Sequence, residues 1–392
     1  MRKILHTPEG VRDIYNQECE QKLALQERMH RAIKSYGYRD IETPTFEFFD
    51  VFSKEIGTIP SRDLYKFFDR EGNTLVLRPD FTPPIARAAA KYYLNDNMAV
   101  RLTYLGNAFV NSSSLQGRLK ETTQIGAELI GDDSADADAE VVALVIRTLL
   151  ESGLKEFQIS LGHAGFFQAL TEEAGFDEEM VGELRRLISN KNTFGVERFL
   201  EQWGADDGCK KIFSSLSGLF GGREVLEQAR ELAAGQKALA SLDRLEEIWE
   251  ILKLYQVEKY VSFDLGMLNR YRYYTGIIFR GYTMGTGDAV VKGGRYDHLL
   301  GHFGKDAPSV GFVAVIDQLL VAMNRQKITQ PVSVKHCMIL YEEEKREEAI
   351  RKATELRGEG IETELVYINE KRTREECRRY AQESQCVLVV EL

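Results

Sequence analysis

Hydrophobic and polar positions follow two different periods along the chain. Residues 17–36 carry apolar residues at helical spacing, which predicts an amphipathic helix that ends at Gly37. The stretch YKFFDREGNTLVLRPD predicts two strands around a turn at residues 71–73. A helix, IARAAAKYYL, is predicted after the double proline at 83–84, because proline is tolerated in a first helical turn.

A long hairpin is predicted next, from VRLTYLGNAFV to KETTQIGAELIG, followed by a helix over about 134–152 and the strand FQISLGH. Residues 165–255 are helical in period throughout, so we expect a helical insertion without strands. The strand pattern resumes in YVSFDLGML, RYYTGIIFRGYT and GDAVVKGGRYD. It ends in SVGFVAVIDQLLVAMN, a strand or loop that runs into a helix.

Two domains follow from this order. Residues 1–326 form the first, an α+β domain with an antiparallel sheet, flanking helices and the insertion. KITQPVSV (327–334) has the composition of a linker. Residues 333–392 alternate strand, helix, strand, helix, strand, which predicts a small parallel βαβαβ domain. That domain carries 11 basic and 14 acidic residues.

Composition narrows the class of protein. The N-terminal 20 residues contain no apolar run, so we expect no signal peptide, and no stretch is long and apolar enough to span a bilayer. The five cysteines are scattered, with no CxxC pair, which favours the reducing cytoplasm over a disulfide framework. A net charge of −10 argues against a nucleic acid as the main partner.

Common cofactor and metal motifs are missing from the sequence. There is no Walker loop, and the glycines between 281 and 294 do not match GxGxxG. His298 and His302 have the spacing of metal ligands on a helix, but Gly301 lies between them and no HExxH glutamate is present. The acids of residues 131–140 fit the first turn of the next helix better than a cation site. We therefore expect no cofactor and no metal.

Seven polar or aromatic residues on the predicted sheet are candidates for binding a small molecule. Asp80 and Thr82 alternate, which would place both on one face of an extended segment, and Gln124 and Glu128 share one face of a strand. Tyr273, Tyr274 and Tyr296 add phenols. Each alone also fits an ordinary half-buried sheet position. As a set, they predict a pocket for a small cationic polar molecule.

Several motifs together resemble histidyl-tRNA synthetase, a class II synthetase. They are PEGVRD, LRPDFTP, TQIGAELIG, YYTGIIF, GGRYD and GFVAVIDQL, and the likeness covers about residues 5–325. The resemblance implies the class II antiparallel sheet and an insertion where that family carries one. The tail resembles a truncated anticodon-binding domain.

The chain departs from the synthetase pattern where that family binds ATP. Val110 and Ser112 stand in place of a hairpin arginine and glutamate, and Asn269 in place of a further arginine. Val315, Asp317 and Gln318 replace a glycine and a Glu-Arg pair in the last motif. Losing one oriented charge-stabilising donor commonly costs ~3 to 4 kcal/mol in the transition state. We therefore expect no adenylate formation.

The amino-acid pocket of that family is largely kept. The resemblance implies that Asp80, Thr82 and Gln124 hold an α-ammonium group, Glu128 and Tyr274 hold an imidazole, and Tyr296 closes the pocket, with Tyr273 beside it. The carboxylate donors are lost with the arginines; Arg118, Arg270 and Arg272 are possible replacements.

A synthetase-like chain that keeps a histidine pocket but lacks the ATP-binding arginines resembles the ATP phosphoribosyltransferase regulatory subunits. The pattern LRPDxTPxIAR of that family is also present here. That resemblance implies a non-catalytic partner of the short-form catalytic subunit, required for its activity and for feedback inhibition by L-histidine. It also implies a dimer or larger assembly, with neither nucleic acid nor membrane as partner. Two alternatives stay open: a divergent, active histidyl-tRNA synthetase, and a synthetase-like module for another amino acid.

Overall fold

The computed structural model describes residues 5–52, 59–93, 98–112, 119–268, 273–329, 336–369, 372–383 and 388–392. Contacts divide the chain into two units, Met1–Gln330 and Pro331–Leu392. No helix in these described ranges is long and apolar enough to cross a membrane.

The first unit is built on a nine-stranded sheet that is mostly antiparallel. In spatial order its strands are β1 (Arg39–Asp40), β5 (Val100–Phe109), β6 (Glu121–Ile130), β12 (Ser309–Val315), β11 (Val291–Arg295), β10 (Ile277–Thr283), β7 (Phe157–His163), β9 (Val261–Asp264) and β8 (Phe220–Gly221). Only the pairs β1–β5 and β7–β9 are parallel. The predicted long hairpin is confirmed as β5 and β6, paired along ten residues each.

A smaller antiparallel sheet lies in the same unit. Its order is β2 (Phe46–Phe48), β4 (Thr74–Leu77) and β3 (Lys66–Phe68). The predicted turn between β3 and β4 is confirmed. Gly72 adopts a φ of +86° there, a conformation that favours glycine.

Four helices flank the large sheet: α1 (Asn16–Lys34), α2 (Thr82–Tyr92), α3 (Ala135–Ser152) and α10 (Ile316–Arg325). The Ser134 side chain caps α3 by accepting from the Ala137 backbone N–H at 3.2 Å, and Gly153 ends it in the left-handed conformation. Helix α2 begins at Thr82, before the double proline. The expectation that Asp80 and Thr82 share an extended segment is therefore wrong, because Phe81 already has helical backbone angles.

The predicted helical insertion contains α4 (Ala164–Glu173), α5 (Glu178–Ser189), α6 (Thr193–Gln202), α7 (Asp207–Ser215), α8 (Glu224–Leu232) and α9 (Gln236–Leu254). The expectation of no strand in this region is wrong, because β8 lies between α7 and α8 and pairs with β9. A two-residue strand carries too little alternation to be seen in sequence. Asp138 of α3 connects the insertion to the sheet: it accepts from Arg244 of α9 at 2.9 Å and from Arg295 of β11 at 2.8 Å.

The second unit is a three-stranded parallel sheet with two helices, as the alternating pattern predicts. Its sheet has the order β14 (Glu362–Tyr367), β13 (His336–Tyr341) and β15 (Leu388–Glu391). Its helices are α11 (Arg346–Gly358) and α12 (Arg374–Glu383). The likeness of this unit to an anticodon-binding domain stays a prediction.

Candidate functional site

The alternation of side chains along strand β6 places the Glu128 carboxyl group on the sheet face opposite the main core. Ile125, Ala127 and Leu129 pack into the main core with residues of α1 and α3. Successive side chains of a strand point to opposite faces, so Glu128 lies on the other face. It is nonetheless buried, with 1% of its surface exposed.

The Glu128 carboxyl group accepts two side-chain hydrogen bonds. The Thr82 hydroxyl donates to Oε1 at 2.9 Å, and the Tyr296 hydroxyl donates to Oε2 at 2.5 Å. Burial raises the pKa of Glu128 to about 8, although both hydrogen bonds act in the opposite direction. A buried carboxyl that holds a proton near neutral pH can share that proton with a basic ligand such as an imidazole.

Thr82 connects Glu128 to a second acid. Its backbone N–H donates to Asp80 Oδ1 at 3.2 Å, while its hydroxyl contacts Glu128. Burial raises the pKa of Asp80 as well, against the hydrogen bonds from the backbone of Thr82 and Phe81. Two acids held by one threonine at the start of α2 favour a ligand that brings positive charge.

Two glycines leave space on the sheet beside Glu128. Gly311 lies directly opposite Glu128 on β12, and Gly294 lies opposite Gly311 on β11. A Cβ atom at Gly311 would lie 1.6 Å from Glu128 Oε2, and one at Gly294 would lie 2.6 Å from the Tyr274 ring. The glycines therefore make room for the two functional side chains themselves.

Tyrosine rings surround this part of the sheet. Tyr273 lies 4.4 Å from Tyr274 and 6.0 Å from Tyr296 between ring centroids, the latter edge to face. The pKa of Tyr296 is raised well above its ordinary value, chiefly by burial and then by the Glu128 charge. The phenol therefore stays protonated and keeps donating.

Sequence reasoning missed Tyr104, which is buried on β5, and Phe81, which stacks on it at 4.4 Å. The strand alternation of the predicted hairpin could have identified Tyr104. Tyr104 has the same parity as Leu102, the residue opposite Glu128, and so faces the same side.

Gln124 shares the face of Glu128 but lies further along β6. It is half-buried, opposite Gly106 on β5 and Val315 on β12. Its amide donates to the Thr122 hydroxyl at 3.3 Å. The structure therefore connects six of the seven candidates through successive contacts, and Gln124 lies on the same face at one side. The contacts join Asp80 to Thr82, Thr82 to Glu128, Glu128 to Tyr296, Tyr296 to Tyr273 and Tyr273 to Tyr274.

The positions where the synthetase pattern has its ATP-binding residues have a different character. Ser112 Oγ and Gln318 Oε1 are buried with no hydrogen-bond partner among the described residues, and Val110 is apolar. The Asp317 carboxylate is occupied: it accepts from Lys22 Nζ at 2.8 Å and from the Thr123 backbone N–H at 2.6 Å. Asn269 and the possible carboxylate donors Arg118, Arg270 and Arg272 lie outside the described residues.

Metal binding has little support in the same geometry. Within the described ranges, no three His, Cys, Asp or Glu residues come together as a metal site would require. His302 belongs to a short 3-10 helix, Leu300–Phe303, rather than to an α-helix that would align it with His298.

Comparison with known proteins assigns the chain to a family. Residues 10–319 match the family model described as histidyl-tRNA synthetase. A protein of Ruminiclostridium cellulolyticum named ATP phosphoribosyltransferase regulatory subunit is 40% identical, over 93% of this chain and 87% of its own length. An Acetivibrio thermocellus protein of the same name is also 40% identical, over 92% of this chain and 86% of its own length.

Solved structures agree with this assignment. A Bacillus halodurans protein, titled ATP phosphoribosyltransferase regulatory subunit/histidyl-tRNA synthetase, superposes with a TM-score of 0.89 at 34% identity, covering 100% of this chain and 99% of its own. A histidyl-tRNA synthetase from Nostoc sp. shares the fold, with a TM-score of 0.81 at 20% identity over 97% of this chain and 90% of its own. The chain therefore belongs to the histidyl-tRNA synthetase-like family of ATP phosphoribosyltransferase regulatory subunits.

Proposed function

We propose that the protein is a non-catalytic regulatory subunit that assembles with a short-form catalytic ATP phosphoribosyltransferase, which performs the first step of L-histidine biosynthesis. The catalytic subunit requires it for activity, and L-histidine is the effector. One observation supports this most: the acids of the proposed amino-acid pocket are buried and hydrogen-bonded, whereas the uncharged Val110, Ser112 and Gln318 stand where the synthetase pattern has charged ATP-binding residues.

In this proposal each pocket residue has a role toward histidine. Asp80 and Thr82, with Gln124 beside them, receive the α-ammonium group. Glu128 shares a proton with one imidazole nitrogen, and Tyr274 contacts the other. Tyr296 fixes the Glu128 carboxyl through its 2.5 Å hydrogen bond, and Tyr273 packs against Tyr296.

Feedback inhibition requires a difference between two states of the complex. Histidine can lower activity only if it binds the inactive arrangement more tightly than the active one, since a ligand shifts an equilibrium by its differential affinity. The same coupling is reciprocal: binding of the catalytic subunit's substrates should weaken histidine binding by the same factor.

Two measurements test the function together. Calorimetry of the purified protein with L-histidine should give saturable binding, and other amino acids should bind far more weakly. Short-form catalytic subunit mixed with this protein should show phosphoribosyl transfer that histidine suppresses. Absence of both histidine binding and association would contradict the proposal.

The rival function is an active histidyl-tRNA synthetase, which the matched family model also fits. A histidine-dependent ATP–pyrophosphate exchange assay separates the two. We expect no exchange, because Val110 and Gln318 cannot supply the bidentate cationic donors of arginine. Exchange at a rate typical of an aminoacyl-tRNA synthetase would establish the rival.

We also propose that the chain forms at least a dimer, through α1 and the segment around Pro44. Phe46 and Phe48 follow that segment and are 52% and 56% exposed, an apolar area suited to association. Sedimentation of the wild type and of Phe48→Glu tests this. Cys19, Cys209 and Cys377 form no disulfide among the described residues, which supports a cytoplasmic location.

A further inference from the structure

Arg78 is a buried cation without a carboxylate partner among the described residues. It is 6% exposed. Its Nε donates to the Asn107 carbonyl at 2.9 Å, and its Nη1 donates to the Thr43 carbonyl at 2.7 Å. These acceptors are neutral backbone groups, whereas buried charges in proteins are normally paired with an opposite charge.

The third nitrogen of Arg78 points to the pocket side of the sheet. No described residue accepts a hydrogen bond from Nη2. A Cβ atom at Gly106 would lie 2.7 Å from Nη2, so the guanidinium occupies space that this glycine leaves open. Gly106 pairs with Gln124 across the hairpin, which places Nη2 on the face that carries Gln124 and Glu128.

The guanidinium is held in this position by aromatic stacking. It lies 4.1 Å above the Phe81 ring, and Phe81 in turn stacks on Tyr104 at 4.4 Å. Stacking and the two hydrogen bonds fix the plane of the guanidinium, so little conformational entropy remains to be lost when Nη2 gains a partner.

The charges of this face match an α-amino acid. The acids Asp80 and Glu128 suit the ammonium and imidazole groups, but a free amino acid also brings a carboxylate that must be paired when it is buried. We propose that Arg78 binds the α-carboxylate of the effector through Nη2. This assignment rests on the proposed function and names the group that replaces the arginines of the synthetase pattern.

The competing explanation is purely structural, in which Arg78 only fastens the Thr43–Pro44 segment to β5. Two ligands separate the explanations. L-histidine has the carboxylate, whereas histamine keeps the imidazole and the ammonium group but lacks it. A carboxylate donor affects only the first ligand, and a structural residue affects both alike.

Calorimetry should therefore be run with L-histidine and histamine on the wild type and on Arg78→Met. We expect Arg78→Met to weaken histidine binding by about 10- to 100-fold, the range for a hydrogen bond to a charged group, and to leave histamine binding within about twofold. A second variant, Gly106→Ala, places a methyl group 2.7 Å from Nη2, which displaces the guanidinium and should give the same selective loss. It carries the test if Arg78→Met does not fold.

Arg87→Met is the matched control. Arg87 lies on α2 and pairs with Glu47 at 2.6 Å, so its removal disturbs the same region without altering the ratio of the two affinities. An equal loss for both ligands in Arg78→Met, or no loss for either, overturns the assignment of Arg78. Absence of histidine binding by the wild type instead overturns the proposed function itself.

Discussion

Two regions of the first unit differ in how their buried polar atoms are satisfied: the surroundings of Glu128, and the positions Ser112 and Gln318, where the synthetase pattern has ATP-binding residues. Around Glu128, Thr82 and Tyr296 donate to both carboxylate oxygens, and glycines leave room for the group. By contrast, Ser112 Oγ and Gln318 Oε1 are buried and accept or donate no hydrogen bond to any described residue. A satisfied cluster is expensive to disturb, whereas an unsatisfied atom costs free energy while it stays.

The proposed function predicts a functional difference between these two regions. Histidine would contact the surroundings of Glu128, and no ligand would contact Ser112 or Gln318. Substitutions around Glu128 should therefore change histidine binding or stability, whereas Ser112→Ala should change neither appreciably.

The largest effect is expected from closing the space beside Glu128. In Gly311→Ala the new Cβ would lie 1.6 Å from Glu128 Oε2, so the carboxyl group must leave its hydrogen bonds. We expect histidine affinity to fall by about 100-fold or more, roughly 3 kcal/mol, measured by calorimetry. Gly182→Ala on α5, where the added carbon meets nothing within 4 Å, is the control and should bind normally. Normal binding by Gly311→Ala would show that histidine does not use Glu128.

A second effect follows from the raised pKa of Glu128, about 8 against 4.5 ordinarily. Between those values the folded protein keeps a proton that the unfolded chain releases, so stability falls as pH rises, by at most about 1.4 kcal/mol per unit. Glu128→Gln removes this dependence. As the pH rises from 5.5 to 7.5, the unfolding free energy of the variant should increase relative to that of the wild type by up to about 2 kcal/mol. Chemical unfolding at each pH measures this difference.

The exposed Glu183 is a control of opposite sign for that experiment. Arg186 donates to it and lowers its pKa, so Glu183→Gln cannot reproduce a loss of stability toward neutral pH. Parallel pH profiles of the wild type and Glu128→Gln would mean that Glu128 ionises at an ordinary pH.

The long, periodic helices and strands could be predicted from the sequence, whereas the pocket could be predicted only in part. The ten-residue strands β5 and β6 carry a clear pattern, and alternation alone put Gln124 and Glu128 on one face. The position of Thr82 between Asp80 and Glu128 could not be predicted, because it depends on where α2 begins. Phe81 already has helical angles two residues before the double proline, and this turn brings Asp80 and Glu128 to the same threonine.

Other features depend on contacts distant in sequence. The space beside Glu128 requires Gly311 to be its neighbour across β6 and β12, and those strands are separated by about half of the chain. The acids of residues 131–140 were expected in the first turn of the next helix, and Asp138 is one of them. It does lie in that turn, but it is fully buried between Arg244 and Arg295, partners that only the tertiary fold brings together.

A moderate effect is expected from removing one donor to Glu128. Thr82→Val keeps the shape and the backbone N–H bonded to Asp80 but leaves Glu128 Oε1 without its hydroxyl donor. We expect unfolding free energy to fall by about 1 to 2 kcal/mol and the pKa of Glu128 to rise further, since that hydrogen bond lowers it. Thr82→Ser, which keeps the hydroxyl, is the control. Equal destabilisation by both variants would assign the loss to packing.

The smallest effect should come from Ser112, and its sign is the informative part. Ser112→Ala removes a buried hydroxyl that has no partner among the described residues, so stability should stay within about 0.5 kcal/mol or rise slightly. Ser160→Ala makes the identical change at a buried hydroxyl that hydrogen-bonds Ser262 at 3.1 Å, and it should cost about 1 kcal/mol. Histidine affinity should be unchanged in both variants. If Ser112→Ala instead destabilised the protein as Ser160→Ala does, its hydroxyl would have a partner in solution. The contrast between the hydrogen-bonded Glu128 and the unpartnered Ser112 would then be lost.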